Sequence, residues 1–310
     1  MKSSEGKIPF QIEKIDRPCF TWYQLVGDLE SPKTPLIAIH GGPAACHEYI
    51  LSLTDLNDIY GIPIIFYDQI GNGNSTRLKE KAGDRDFWVE ELFQSELDNL
   101  IDFFDLRSRK GGYDVLGQSW GGMMASKWAA KNQVGLRKLV LSDSPASTPL
   151  QLQGEEPLRK ALPQDVQDVL DKCEREKDFE SKEYEEACLF FYKRHLCCLD
   201  PWPKEAMKAL EHLQDDSTVY GTMMGPSELY ITGTLKDWTA VDVAHNIKVE
   251  TLLINGRYDL IQDVAVMPYF ERIPKVKWVT LEKSSHMGHW EERERYMDIV
   301  GQFLGVGKHR

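Results

Sequence analysis

A strand leads straight into a helix through the tight turn GQSWG at residues 117–121. The apolar run YDVL precedes the turn, and the segment WGGMMASKWAAK continues from it with the composition of a helix. A sharp strand-to-helix turn projects its central serine, here Ser119, out of the end of a sheet, and the flanking glycines relieve the crowding. The segment therefore predicts a β-α unit with an exposed serine hydroxyl. A glycine-rich turn with an incidental serine is the alternative.

Strands and helices alternate along most of the remaining chain. Dense apolar runs such as PLIAIH are typical of strands that are covered on both faces. The segment FWVEELFQSELDNLIDFF repeats its apolar residues at intervals of three and four, as an amphipathic helix does. Two segments of alternating polar and apolar residues precede them and predict an opening antiparallel pair of strands. The whole pattern predicts an α/β fold with a mostly parallel central sheet flanked by helices.

The character of the chain changes between residues 145 and 246. This segment contains charged helical stretches such as KDFESKEYEEACLFFYKRHL, which are rich in aromatic residues and bounded by prolines. The strand pattern resumes afterwards with VETLLING and VKWVTLE. We therefore predict a core made of residues 1–144 and 247–310, into which residues 145–246 are inserted as a helical cap.

Charge and composition exclude several classes of function. The net charge is -12, from 37 basic and 49 acidic residues, so nucleic acid and anionic membrane surfaces would be repelled. No apolar run approaches the ~18 residues of a membrane helix, and the first ten residues lack the apolar core of a secretion signal. Six cysteines without CxxC spacing are typical of reduced thiols. We expect a cytoplasmic protein with no nucleic-acid or membrane partner.

A serine hydroxyl acts as a nucleophile at neutral pH only when a base, itself held by an acid, activates it. In folds of this kind the three residues follow in the order serine, acid, histidine. Asp259 follows the strand VETLLING, and His286 lies in the loop after the strand VKWVTLE. Both residues sit near the ends of strands, so we predict a catalytic triad of Ser119, Asp259 and His286.

Two other residues compete for these roles. Asp143 follows the preceding strand and is an alternative acid, while His289 offers a second imidazole close to His286. His289 lies nearer to the start of the last helix, where we expect it to face solvent or to pack locally. No metal site is predicted, because the HMGH segment is not accompanied by a third cluster of ligands.

The loop HGGP at residues 40–43 ends a buried strand on two glycines. Attack by a serine on a carbonyl creates an oxyanion, which needs preorganised hydrogen-bond donors. One donor is expected to be the amide of the residue after the nucleophile, Trp120, and the other should come from the loop after the third strand. We predict that Gly42 supplies the second donor. A merely tight turn is the alternative.

Taken in order, these segments resemble the proline iminopeptidases and related amino-acid amidases of the α/β-hydrolase family. The resemblance extends over residues 36–304 and rests on the blocks HGGP, FYDQIGNGNS, GQSWGG, GPSELYITGTLKDW, INGRYD and SSHMGHWEERERY. It implies an α/β-hydrolase fold with a helical cap, and the same triad and oxyanion hole. It also implies cleavage, without a cofactor, of an amide next to a free amino terminus through an acyl-enzyme.

The resemblance further implies that Glu228, in the segment GPSE, binds the ammonium group of the substrate. A surface carboxylate at a helix start is the alternative for this residue. The chain departs from the family pattern at Ala44, where glycine is usual, and at Leu260, where many members carry a second glutamate.

We therefore predict a serine hydrolase of the aminopeptidase or amino-acid amidase type, acting on a small-molecule or short-peptide substrate. One alternative is a tailoring hydrolase or acyltransferase for a different small amide, ester or lactone. A receptor that keeps the fold without turnover is a further alternative.

Overall fold

The computed structural model describes residues 2–305 and is built around one sheet. The strands are β1 (Ser3–Pro9), β2 (Phe20–Val26), β3 (Leu36–Ile39), β4 (Ile64–Asp68), β5 (Tyr113–Gln118), β6 (Leu136–Ser142), β7 (Glu250–Gly256) and β8 (Val276–Leu281). Their spatial order is β1-β2-β4-β3-β5-β6-β7-β8. Strand β2 runs antiparallel to both β1 and β4, and the other neighbouring pairs are parallel. The predicted opening pair and the mostly parallel sheet are confirmed.

Helices cover both faces of the sheet. They are α1 (Asp55–Tyr60), α2 (Glu90–Phe103), α3 (Trp120–Ala129), α4 (Thr148–Lys160), α5 (Gln164–Glu176), α6 (Lys182–His195), α7 (Lys204–Asp215), α8 (Thr218–Met223), α9 (Asp263–Arg272), α10 (Gly288–Glu291) and α11 (Arg293–Phe303). Helices α2, α3 and α9 pack on one face, and α1 and α11 pack on the other. Alternate residues of the buried strands enter opposite cores: Ile37 joins the first and Ala38 the second. This two-sided burial explains the dense apolar runs of the central strands.

Five helices, α4 to α8, lie between β6 and β7, as the sequence predicts for a helical insertion. The two ends of this segment are hydrogen-bonded to each other: the Ala240 amide donates to the Ala146 carbonyl at 2.9 Å, and the Thr148 amide donates to the Trp238 carbonyl at 3.0 Å. The chain therefore leaves the sheet and returns to it at one place. The boundaries at residues 145 and 246 stay a prediction.

The carboxyl ends of the parallel strands bring the candidate residues to one edge of the sheet. Ser119 directly follows β5, Asp143 directly follows β6, and Asp259 and His286 lie in the loops after β7 and β8. Because these four strands are consecutive neighbours, their loops converge at the edge where ligands bind in parallel α/β sheets.

None of the helices within residues 2–305 is long and apolar enough to cross a membrane.

Candidate active site

Ser119 occupies a strained backbone conformation between β5 and α3. Its φ is 54° and its ψ is -124°, a combination that L residues rarely adopt and that is concentrated at functional sites. The turn is tight because α3 starts against the neighbouring strand: a Cβ atom on Gly121 would lie 2.4 Å from the carbonyl oxygen of Ile39. Only glycine fits there, so the chain can turn sharply enough to present the serine hydroxyl at the end of the sheet.

His286 and Asp259 are joined by a short hydrogen bond. The Nδ1 atom of His286 lies 2.7 Å from Oδ1 of Asp259, and the same oxygen accepts the amide of Ile261 at 2.8 Å. Both side chains are buried. Burial lowers the pKa of His286 below its ordinary value, which favours the neutral imidazole. With the proton on Nδ1 facing a carboxylate, Nε2 is left unprotonated and able to accept a proton.

Ser119 and His286 line the same pocket. Within the described residues the two side chains are not hydrogen-bonded, a separation that is common for such pairs before a substrate binds. The backbone carbonyl of His286 accepts a hydrogen bond from Nε2 of Gln118 at 3.0 Å. The residue before the serine therefore holds the histidine loop against the end of β5.

The two alternative residues occupy different places. Asp143 is buried, and one of its carboxyl oxygens lies within 4.8 Å of a carboxylate oxygen of Asp259 and of a ring nitrogen of His286, but Nδ1 of the imidazole pairs with Asp259. His289 lies on α10, where it is only 1 % exposed, and its Nδ1 atom is 2.9 Å from the hydroxyl of Ser52. The expectation that His289 faces solvent is therefore wrong, while the alternative of local packing holds. Burial lowers the pKa of His289 to about 3.

The HGGP loop presents one free amide near the serine. The Gly41 amide donates to the Tyr49 hydroxyl at 2.6 Å, whereas within residues 2–305 the Gly42 amide has no acceptor. The Trp120 amide begins α3 and has no partner within the helix either. Gly42 has a φ of 109°, a backbone conformation in which a residue with a side chain would be strained. These two amides, from Gly42 and Trp120, are the donors that the sequence predicts for an oxyanion.

Ala44 adopts a backbone conformation that favours glycine. Its φ is 85°, and a side chain in this left-handed region costs about 1 kcal/mol. The side chain is buried, at 2 % exposed. Packing of the alanine methyl group offsets part of this cost.

The pocket lies between the sheet edge and the insertion and offers about 80 Å³ to the centres of water-sized molecules. The insertion contributes apolar residues from α7, including Ala206, Ala209 and Leu213. The carboxylate of Glu228 also lines the pocket, and its Oε1 atom accepts a hydrogen bond from the Tyr220 hydroxyl at 3.2 Å. Glu228 lies outside the helices, so the structure does not place it as a capping residue at a helix start.

A second carboxylate from the insertion lies behind Glu228. Glu155 of α4 is buried, its Oε1 atom accepts from Gln151 at 2.8 Å, and its Oε2 atom has no partner among the described residues. Burial raises the pKa of Glu228 to about 7, and burial followed by the charge of Glu228 raises the pKa of Glu155 well above its usual range. Leu260, at the position of the family's second glutamate, is buried in the apolar core.

Comparison with known proteins identifies the fold family. The sequence pattern of the alpha/beta hydrolase fold matches residues 34–293. The chain belongs to the α/β-hydrolase family. It is 34% identical over 285 residues to a proline iminopeptidase of Thermoplasma volcanium, a match that covers 91% of this chain and 92% of the relative. The resemblance to proline iminopeptidases is therefore confirmed.

Two solved structures show the same relationship in three dimensions. The crystal structure of VinJ superposes with a TM-score of 0.91 at 41% identity, covering 97% of this chain and 98% of VinJ. The crystal structure of the proline iminopeptidase of Mycobacterium smegmatis superposes with a TM-score of 0.87 at 33% identity, covering 97% of each chain. This α/β hydrolase therefore shares the whole architecture of these proteins, insertion included.

Several residues that organise the site of this α/β hydrolase escape analysis of the sequence. Nε2 of His40 accepts a hydrogen bond from the backbone amide of Gln69 at 3.0 Å, and Oε1 of Gln69 accepts one from the indole N–H of Trp120 at 2.9 Å. Burial lowers the pKa of His40 to about 4, so the ring stays neutral and can accept this bond. The Tyr49 hydroxyl donates to Gln118. The sequence places His40 directly after a strand, but nothing in it indicates the hydrogen-bond partners of the ring.

Proposed function

We propose that this protein is a serine hydrolase that cleaves an amide bond next to a free amino terminus, as an aminopeptidase or amino-acid amidase. One observation supports the proposal above the others: the carboxylate of Glu228 lines the same apolar pocket as Ser119 and His286. A nucleophile and a carboxylate in one pocket fit a short substrate whose carbonyl lies at Ser119 and whose ammonium group lies at Glu228.

The reaction follows from the roles of these groups. Ser119 Oγ attacks the carbonyl carbon while Nε2 of His286 takes its proton, and Asp259 stabilises the resulting imidazolium. The amides of Gly42 and Trp120 bind the oxyanion. Collapse of the intermediate expels the amine, which receives the proton from His286, and leaves an ester on Ser119. Water then attacks this ester in the same way and releases the carboxylic acid.

The walls of the pocket favour a small or apolar residue at the scissile carbonyl. Ala206 and Ala209 face the pocket from α7, and Tyr192 and Trp202 close its sides. Burial of an apolar side chain against this surface stabilises the complex by roughly 25 cal/mol per Å² of apolar area removed from water. The apolar residues of the wall provide no partner for a second charged group of the substrate. This chemistry agrees with the activity named for the relatives, the proline iminopeptidases.

One observation favours a second candidate function. Leu260 replaces the second glutamate, so Glu228 is the one carboxylate among the described residues that line the pocket, and its pKa of about 7 leaves it partly neutral near neutral pH. A site that binds ammonium groups more weakly favours a tailoring hydrolase or acyltransferase that acts on a different small amide, ester or lactone. Rates on aminoacyl arylamides, their N-acetylated forms and simple esters distinguish the two functions.

Replacement of Glu228 tests the proposed selectivity. We expect Glu228→Gln to lower kcat/KM for free-amine substrates by the equivalent of roughly 2 to 5 kcal/mol, as for the loss of one partner of a buried charge pair. N-acetylated substrates should be hardly affected. Glu211→Gln removes a charge from the exposed surface of α7 and serves as the matched control. A wild-type preference for amine-free substrates that survives Glu228→Gln contradicts the aminopeptidase function and supports the second candidate.

The pH dependence should differ between substrates with and without an amine. Glu228 binds an ammonium group only when ionised, so kcat/KM for free-amine substrates should fall as the pH drops through about 7. For simple esters the fall should come below 6.5, because burial lowers the pKa of His286 from that ordinary value. In Glu228→Gln the two profiles should coincide at the lower position. Stopped assays of both substrates between about pH 5 and 8 make the comparison, and coincident profiles in the wild-type enzyme would argue against an ammonium site at Glu228.

A further inference from the structure

Asp143 stands between the two strands that carry the nucleophile and the acid, and the proposed mechanism does not use it. It directly follows β6, which pairs with β5 on one side and β7 on the other. The residue is 1 % exposed and has a φ of 49°. Left-handed backbone at a residue other than glycine costs free energy and persists only where the surroundings hold it in place. The chain therefore keeps a carboxyl group at this position at some cost.

Asp143 lies between a pair of hydrogen-bonded hydroxyl groups and the carboxylate of Asp259. Its Oδ2 atom accepts from the hydroxyl of Ser142 at 2.6 Å, and that hydroxyl accepts from the Tyr296 hydroxyl at 2.9 Å. On its other side, one oxygen of its carboxyl group, one carboxylate oxygen of Asp259 and one ring nitrogen of His286 lie within 4.8 Å of one another.

Two carboxyl groups can hydrogen-bond only if one of them carries a proton. Asp259 accepts the Ile261 amide and Nδ1 of His286 through Oδ1, and both bonds favour its ionised form. Its Oδ2 atom is buried and has no N–H donor or other hydroxyl donor among the described residues. Burial raises the pKa of both carboxyl groups well above the usual range, but the hydrogen bonds to Asp259 lower its pKa, whereas the charge of Asp259 raises the pKa of Asp143 further. A proton held between the two groups therefore belongs to Asp143.

We propose that Asp143 is a positioning residue that remains a neutral carboxylic acid and donates a hydrogen bond to the Asp259 carboxylate. The bond holds the plane of that carboxylate so that Oδ1 faces His286, and it satisfies the oxygen that would otherwise be buried without a partner. It also withdraws charge from Asp259, which limits how strongly the acid retains the imidazolium. The proposal rests on the catalytic roles assigned above to Ser119, Asp259 and His286.

Other ionisable groups face the same cluster, and all of them are unchanged in the comparison below. Glu228, Glu291 and His289 face His286. Asp263, Glu155 and Glu291 face Asp259, and Tyr49 and Tyr296 face Asp143. A difference in pH profile between Asp143 variants therefore reports on the bond from residue 143.

The test compares three substitutions at this position. Asparagine reproduces both bonds of a neutral aspartate, since its oxygen accepts from Ser142 and its amide donates to Asp259, and it tolerates a positive φ. We expect Asp143→Asn to lower kcat by less than about fivefold, and Asp143→Ala to lower it roughly ten- to a hundredfold, as for a lost bond to a charged group. In Asp143→Ala the acid limb of kcat/KM should move upward by about one pH unit, because the less stabilised carboxylate retains the imidazolium more strongly.

Two further variants distinguish the shift of the acid limb from a general loss of stability. Asp143→Gly also removes the carboxyl group but adopts the left-handed backbone without strain, so it should show the same shift even if the alanine variant folds poorly. Asp114→Ala removes a different buried aspartate, which pairs with Arg137, and should lower stability without moving the acid limb. Wild-type kinetics in both Asp143→Ala and Asp143→Gly, or equal impairment of asparagine and alanine, overturns the proposal.

A spectroscopic measurement tests the protonation state without turnover. Infrared spectra near neutral pH should contain the C=O stretch of a protonated carboxyl group in the wild-type protein, and this band should disappear in Asp143→Asn. A wild-type spectrum from which Asp143→Asn removes no such band overturns the proposal. The failure of the hydrolase function is recognised separately, because in that case the wild-type protein would not turn over the substrates, or Ser119→Ala would turn them over as well, whatever the spectrum shows.

Discussion

Ser119→Ala is expected to abolish turnover while leaving the fold intact. Loss of the nucleophile leaves only stabilisation by the oxyanion donors and by binding, and removal of such a residue lowers kcat by a factor on the order of 10⁶. The backbone at residue 119 is held by neighbouring bonds, including that from its amide to the Ser142 carbonyl at 2.9 Å, so the thermal unfolding temperature should change little. Rates on an aminoacyl arylamide and on a simple ester, with circular dichroism as the folding check, measure both effects.

Labelling by a fluorophosphonate provides the second readout for this substitution. The probe should modify the wild-type protein and not Ser119→Ala. Ser144 offers a matched control, because it lies beside the same turn and its hydroxyl is buried without a partner among the described residues. Ser144→Ala should be labelled and should turn over substrate. Labelling that persists in Ser119→Ala would place the nucleophile elsewhere.

Asp259→Asn should lower kcat by several orders of magnitude, about 10⁴ in the best-known example of such a change. The asparagine amide can donate to Nδ1 of His286 where the carboxylate accepts from it, at a separation of 2.7 Å. The ring would then carry its proton on Nε2, the atom that must take the proton from Ser119. KM should change little, because Asp259 does not line the pocket. Steady-state kinetics on the substrates used for Ser119→Ala measures the loss.

Asp143→Asn is the natural comparison for Asp259→Asn, since both remove a buried carboxyl group from the same cluster. The substitution at residue 259 should be far more damaging than the one at residue 143. The opposite ranking would move the catalytic acid to the end of β6, the alternative that the sequence leaves open.

The elements of the fold were largely predictable from the sequence because their signals are local. Apolar runs and the spacing of three and four residues reflect burial of a strand or of one helix face, and strands and helices form over the predicted segments. The parallel sheet follows from their alternation. The turn at Ser119 was predictable as well, because a sharp turn requires glycine where the backbone approaches its neighbours closely. The close approach of Gly121 to the carbonyl oxygen of Ile39 is an example.

The hydrogen-bond partners at the site could not be predicted in this way. The choice of Gly42 over Gly41 as a free amide depends on the Tyr49 hydroxyl, which occupies the Gly41 amide. The hydrogen-bond partner of His289 is Ser52, which lies 237 residues away along the chain. Glu155 gave no signal, because a glutamate within a charged helical segment has the composition of a solvated surface.

The sequence by itself therefore determined the order of strands and helices, the turn that holds Ser119, and the short set of residues able to act with it. Each of these depends on interactions between residues that are close along the chain. Only the tertiary structure decided that His286 pairs with Asp259, that Glu228 joins Ser119 in one pocket, and that a carboxyl oxygen of Asp143 lies within 4.8 Å of Asp259 and His286. These outcomes depend on burial and on the distance between side chains from different strands. Packing of the sheet sets both, and no local pattern records them.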